Sequence, residues 1–82
     1  MATLEYLASV PLVRRDIVLV RLRDGLWRVT RTAGEVLGYV EKYPVPDGFR
    51  YRSKRLSARQ RRFLVVGEFW SVDDAIECLR FG

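Results

Sequence analysis

The chain contains no histidine and a single cysteine, Cys78. One cysteine cannot build a disulfide framework, and the lack of histidine removes a Cys/His zinc site and any His-based general base or triad. Long apolar stretches are also missing. Runs such as Ile17 to Val20 fall far short of the ~18 residues that a membrane span needs. The opening Met1 to Val10 has neither the basic start of a secretory signal nor a lipidation motif, so a cytoplasmic location without membrane association is expected. There is no glycine-rich phosphate loop, because the spacing of Gly34 and Gly38 falls inside a hairpin pattern. Asp73 and Asp74 are adjacent rather than paired on one helix face, and capping accounts for them. These absences together imply a protein that is not an enzyme and uses no cofactor.

What remains is a folded, basic module. At 82 residues, 49% hydrophobic and 30% charged, the sequence implies one small domain over residues 1–82 and excludes a disordered tail. Ordering the chain costs on the order of 1.5 kcal/mol per residue, so the core must use most of the apolar side chains. The ten aromatics, Trp27, Tyr39, Tyr51 and Trp70 among them, are therefore core candidates. Cys78 reads as a small buried hydrophobe.

The spacing of Leu4, Leu7 and Ala8 suits a short helix over Thr3 to Val10, stopped by Pro11, although Leu4, Tyr6, Ala8 and Val10 alternate equally well as a strand. From Ile17 the pattern is β. A strand runs to Arg23 and turns at Asp24-Gly25, a strong two-residue hairpin signal. In an unbroken register Leu22 faces Trp27, Arg21 faces Arg28 and Val20 faces Val29. Thr32-Ala33-Gly34 suits a three-residue loop with Gly34 left-handed and Arg31 opposite Glu35, which sets Leu37 beside Val29 and Tyr39 beside Trp27. A third strand, Glu35 to Tyr43, ends at the Pro44 to Gly48 breaker. A fourth covers Phe49 to Lys54, a basic loop follows at Ser57 to Arg61, and a fifth covers Arg62 to Trp70. Ser71 then caps a helix with Asp74 at its third position, and Val72, Ala75, Ile76 and Leu79 form its apolar stripe. The expected fold is α+β: an antiparallel four- to five-stranded sheet with a C-terminal helix packed on one face.

Charge is unevenly placed. Residues 50–62 carry Arg50, Arg52, Lys54, Arg55, Arg59, Arg61 and Arg62 with no acid, whereas residues 63–82 carry Glu68, Asp73, Asp74 and Glu77 against Arg80 alone. With the helix on the apolar face, the other face presents Arg21, Arg23, Arg28, Arg50, Arg52 and Lys54, and directly opposed Arg21 and Arg28 repel. Lysine occurs only at positions 42 and 54, and the arginine excess favours planar recognition of phosphate or guanine edges. A solvated basic face with no partner, or an adaptor for an acidic protein surface, fits the same pattern. Pairing of two chains through an edge strand is compatible with either.

Gly67-Glu68-Phe69-Trp70-Ser71-Val72-Asp73-Asp74-Ala75 resembles the G-x-F-x-[ST]-x-[DE]-[DE]-A signature that closes the sheet and opens the helix in AP2 and integrase arm-type DNA-binding domains. The layout resembles that family over roughly Trp27 to Leu79. The resemblance implies a three-stranded sheet backed by one helix, with Arg28 and the Arg50, Arg52, Lys54 row entering the major groove of duplex DNA. The extra strand before Trp27, the proline-containing connection at Pro44 to Gly48 and the basic loop depart from the family pattern. The function expected is non-catalytic nucleic-acid binding, with duplex DNA favoured, by a small accessory or regulatory protein.

Overall fold

The computed structural model describes residues 12–14 and 16–81. The segment expected over Thr3 to Val10 lies outside the described residues. Six strands, β1 (Leu12–Arg14), β2 (Ile17–Arg23), β3 (Leu26–Arg31), β4 (Val36–Val45), β5 (Gly48–Ser57) and β6 (Arg62–Phe69), form one antiparallel sheet in sequential order, and helix α1 (Val72–Phe81) follows. The five longer strands and the packed helix are the α+β arrangement expected from the sequence. The three-residue β1, paired to β2, is an addition. Among the described residues no helix is long and apolar enough to cross a membrane.

Turn chemistry sets the hairpins. Gly25 adopts φ 77° at the β2–β3 turn, a conformation that glycine takes without steric cost. At the next turn the Gly34 amide donates to the Arg31 carbonyl (2.8 Å) and the Arg31 amide to the Glu35 carbonyl (2.7 Å), with the Arg31 and Glu35 side chains paired at 3.3 Å as expected. The breaker expected at Pro44 to Gly48 is tighter than its composition suggested. β4 runs through Pro44 to Val45, which pairs directly with Gly48, so only Pro46 and Asp47 form the turn. β5 likewise continues to Ser57, and the basic loop shrinks to a turn in which Arg61 takes a left-handed φ of 53°.

Helix α1 starts where the sequence places it. The Ser71 hydroxyl accepts hydrogen bonds from the Asp73 amide (3.0 Å) and the Asp74 amide (3.3 Å), satisfying amides the first turn leaves open. Ala75, Ile76 and Leu79 are buried against Ile17, Leu19, Val29 and Val40 of the sheet. Fully buried Ser53 donates to the Ala75 carbonyl at 2.7 Å, a polar tie between β5 and the helix inside the core. At the other end Arg55 donates to the Leu79 carbonyl (2.9 Å) and Arg31 to the Arg80 carbonyl (3.4 Å), while Asp16 accepts from Arg31 (2.8 Å) and pairs with Arg80 (3.0 Å). Arginines suit this position because the last carbonyls are unpaired and the helix C-terminus is partially negative.

The unbroken register fails at two bulges. Arg23 faces Leu26 as expected, but Leu22 is the extra residue of a bulge, so Arg21 faces Trp27, Val20 faces Arg28 and Leu19 faces Val29. Thr30 faces Val36, but Leu37 is bulged out, so Val29 faces Gly38, Arg28 faces Tyr39 and Trp27 faces Val40. A slip of one residue transfers side chains to the opposite face. Tyr39 thereby leaves the core side, and Gly38 takes the place under the helix. A β-carbon at Gly38 would lie 2.4 Å from the Lys54 carbonyl oxygen and 2.8 Å from Leu79 Cδ2, so only glycine fits there. Trp27 is half-buried beside the core rather than within it. Trp70, expected in the core, is exposed, and Cys78 is only half-buried, its Sγ 4.0 Å from the Val66 carbonyl.

Candidate nucleic-acid interface

The face turned away from the helix follows from these registers. Across β3, β4, β5 and β6, Arg28, Tyr39, Lys54 and Val65 form one row. Leu26, Glu41, Arg52 and Glu68 form the next, and Tyr43 faces Arg50 beyond it. A third bulge, at Val66, turns β6 so that Phe63, Val65 and Glu68 share this open face while Gly67 and Phe69 point to the helix. Bulges on an edge strand blunt its capacity to pair.

The basic residues expected from the sequence divide into three groups. Arg23, Arg28, Arg50, Arg52 and Lys54 do lie on the open face. Arg21 does not: it shares the side of Trp27 and pairs with Asp24 at 3.5 Å, so the repulsion expected between Arg21 and Arg28 does not arise. Arg55 does not either, because it caps α1. Arg59, Arg61 and Arg62 cluster at the exposed β5–β6 turn, where the Gln60 amide donates to the Ser57 hydroxyl (3.2 Å) and Arg62 Nε to Gln60 Oε1 (3.0 Å).

Two carboxylates not expected on this face, Glu41 and Glu68, occupy its middle. Glu41, with a side chain only 19% exposed, pairs with Lys54 (2.8 Å), Arg52 (3.3 Å) and Arg23 (3.4 Å). The Lys54 hydrogen bond, aided by the charges of Lys54 and Arg52, holds its carboxyl below the ordinary carboxylate range against the opposing effect of burial. Glu68 lies 4.0 Å from Arg52 and accepts a hydrogen bond from the Tyr43 hydroxyl, which raises the Tyr43 pKa. The Arg52 guanidinium sits 4.0 Å over the Tyr43 ring, and Arg50 sits 4.7 Å over the Trp70 ring while donating to the Glu68 carbonyl at 3.0 Å. Arg52 and Lys54 are thus paired with carboxylates within the protein, whereas Arg50 is held by a carbonyl and a ring and has no carboxylate partner among the described residues. Arg28, Arg59 and Arg61, by contrast, have no ion pair or side-chain hydrogen bond among the described residues.

Sequence reasoning missed the aromatic part of this face. Tyr39 and Phe63 meet edge to face above β5, with ring centroids 5.0 Å apart, and Phe63 is 49% exposed. A cavity of about 200 Å³ lined by Leu22, Leu26, Tyr39, Lys54 and Phe63 lies on one side of Tyr39. A second, of about 480 Å³, opens on the other side, between Val36–Tyr39 and Arg55–Leu56. It exists because β4 and β5 pair only from Tyr39 and Lys54 onward, and their other ends follow β3 and β6 respectively. One signal could have revealed Tyr39: a glycine inside a strand pattern, here Gly38, marks a bulge or a close backbone approach.

Comparisons with protein-family models, curated proteins and solved structures return no match to this chain.

Proposed function

We propose that this chain is a non-catalytic nucleic-acid-binding protein, an accessory or regulatory module that takes a polyanion across its open sheet face and the β5–β6 turn. The observation that carries the reading is the set of cations without a carboxylate partner among the described residues: Arg28 and Arg50 on the face and Arg59, Arg61 and Arg62 at the turn, in a chain of net charge +5. Exposed arginines without partners repel one another, and phosphates relieve that repulsion while releasing counterions. The paired Arg52 and Lys54 contribute less, since Glu41 must give them up first.

The test is a salt titration of binding to labelled oligonucleotides by the whole chain. Log affinity should fall linearly with log salt, and the double substitution Arg59→Ala/Arg61→Ala should flatten the slope by between one and two units. Affinity that is absent at low salt, or a slope that the double substitution leaves unchanged, rejects the reading.

A second reading, an adaptor for an acidic protein surface, is favoured by one observation. β6 is an edge strand with Phe63, Val65 and Val66 all about half exposed, apolar surface available to a partner protein or to a second copy of the chain. An adaptor would retain a defined protein partner in a pull-down and show no affinity for oligonucleotides.

A further inference from the structure

Resting on the nucleic-acid reading, we propose that the occupant of the open face is a single strand, of DNA or RNA, whose bases stack on Phe63 and beside Tyr39. Exposed aromatic and aliphatic surface sits in the middle of an otherwise charged face: Phe63, Leu56 and Val65 are each about half exposed, and Tyr39 stands between two cavities. Contiguous apolar surface on a small protein marks a binding site when it is framed by polar groups. The frame here is cationic. Arg28 lies beside Tyr39 in register, and Arg59 and Arg61 stand at the turn just beyond the Leu56 and Phe63 pair.

This combination separates a single strand from a duplex. In a duplex the bases are stacked on one another and the outer surface offers phosphates and groove edges, so Phe63 and Leu56 would be pressed against polar groups with no gain. A single strand offers both chemistries, its flat bases to the rings and its phosphates to the surrounding arginines. The carboxylates set the path. Glu41 and Glu68 already occupy Arg23, Arg52 and Lys54 in the other half of the face, which leaves the band from Arg28 over Tyr39 and Phe63 to Arg61 as the one that joins unpaired arginines to exposed rings. Three inter-strand spacings separate β3 from β6, so the strand crosses roughly 14 Å of sheet. The Tyr39 and Phe63 rings hold each other edge to face, so a base meets a ring already oriented.

The experiment is fluorescence anisotropy of the whole chain with a labelled oligothymidylate, an oligouridylate of the same length and a duplex of the same length, in low and moderate salt. The single strands should bind at least tenfold tighter than the duplex. Phe63→Ala should weaken single-strand binding about 5- to 100-fold and duplex binding less than twofold, whereas Phe63→Trp should retain single-strand affinity. The ratio of the two single strands reports whether DNA or RNA is preferred. Duplex binding as tight as single-strand binding, with Phe63→Ala and Phe63→Trp both without effect, overturns the single-strand assignment and leaves polyanion binding in place. No affinity for any of the three nucleic acids overturns both. Circular dichroism of each variant confirms that the fold is kept, since Phe63 lies outside the core.

Discussion

The two faces of the central strands β4 and β5 differ in how they are held, although their residues alternate along the same backbone. Toward the helix, Val40 and Ser53 are fully buried, Gly38 leaves no room for a methyl group, and the Ser53 hydroxyl has a carbonyl partner. One residue further along, Glu41 and Arg52 face solvent in a network of ion pairs and ring contacts. The covered face is fixed by shape, which transmits small changes in volume at high cost. The open face is fixed by charges near water, which exchange partners at low cost. Stability therefore resides on one side of the sheet, and the capacity to take a ligand on the other.

Leu79→Ala and Phe63→Ala give the sharpest contrast. The first empties a fully buried position and should cost about 2–5 kcal/mol, lowering the melting temperature by roughly 4–8 °C for each kcal/mol in a domain of this size. The second should cost less than about 1 kcal/mol. Equal losses in a thermal melt would show that the open-face ring pair is part of the core.

Gly38→Ala should come next, at about 1–3 kcal/mol, because its β-carbon meets backbone as well as the Leu79 side chain. A neutral result in urea denaturation would mean that β4 and α1 are further apart than described. Ser53→Ala should cost about 1 kcal/mol, the net worth of a buried hydrogen bond, and an unchanged denaturation midpoint would leave the tie to Ala75 without energetic weight.

On the open face the effects should depend on pH. Glu41 is held below its ordinary value of 4.5, so its pairing stabilises the fold above that pH and is lost as the pH falls through the lowered value. Glu41→Gln should therefore be destabilising at pH 7, with the gap to the unsubstituted chain closing as the solution is acidified below 4.5. It should also tighten polyanion binding by freeing Lys54, Arg52 and Arg23. A melting-temperature difference that stays constant down to pH 3 would contradict this account of the pairing. The smallest effect belongs to the turn: Arg59→Ala/Arg61→Ala should change stability by less than about 0.5 kcal/mol, since neither side chain is held by the rest of the protein, and a larger change in the melt would reveal a structural role.

How much of this was legible in the sequence varies by element. The Ser71 cap, the apolar stripe of the helix, the Asp24-Gly25 and Thr32 to Gly34 turns, and the five longer strands all follow from local chemistry, where a residue's preference depends on its near neighbours along the chain. The open-face positions of Arg23, Arg28, Arg50, Arg52 and Lys54 followed as well, Arg28 because the bulges lie in the neighbouring strands β2 and β4 and leave the alternation of β3 intact. The roles of Arg21, Arg55 and Tyr39 did not follow. Arg55 was indistinguishable from the neighbouring arginines until β5 extended beneath the C-terminus of α1.

By itself, then, the sequence determined the class of fold, the uneven distribution of its charge and the absence of histidine and of a second cysteine from these 82 residues, because these depend on composition and on periodicities within single segments. Only the tertiary structure decided which cations are free. Bulges at Leu22, Leu37 and Val66 reassign side chains between faces, and the bulge at Leu37 places Gly38 against Leu79, a residue some forty positions away. Pairing of Glu41 with Lys54, Arg52 and Arg23 has the same origin, since charges far apart in sequence meet only after the four strands β2 to β5 have been brought side by side.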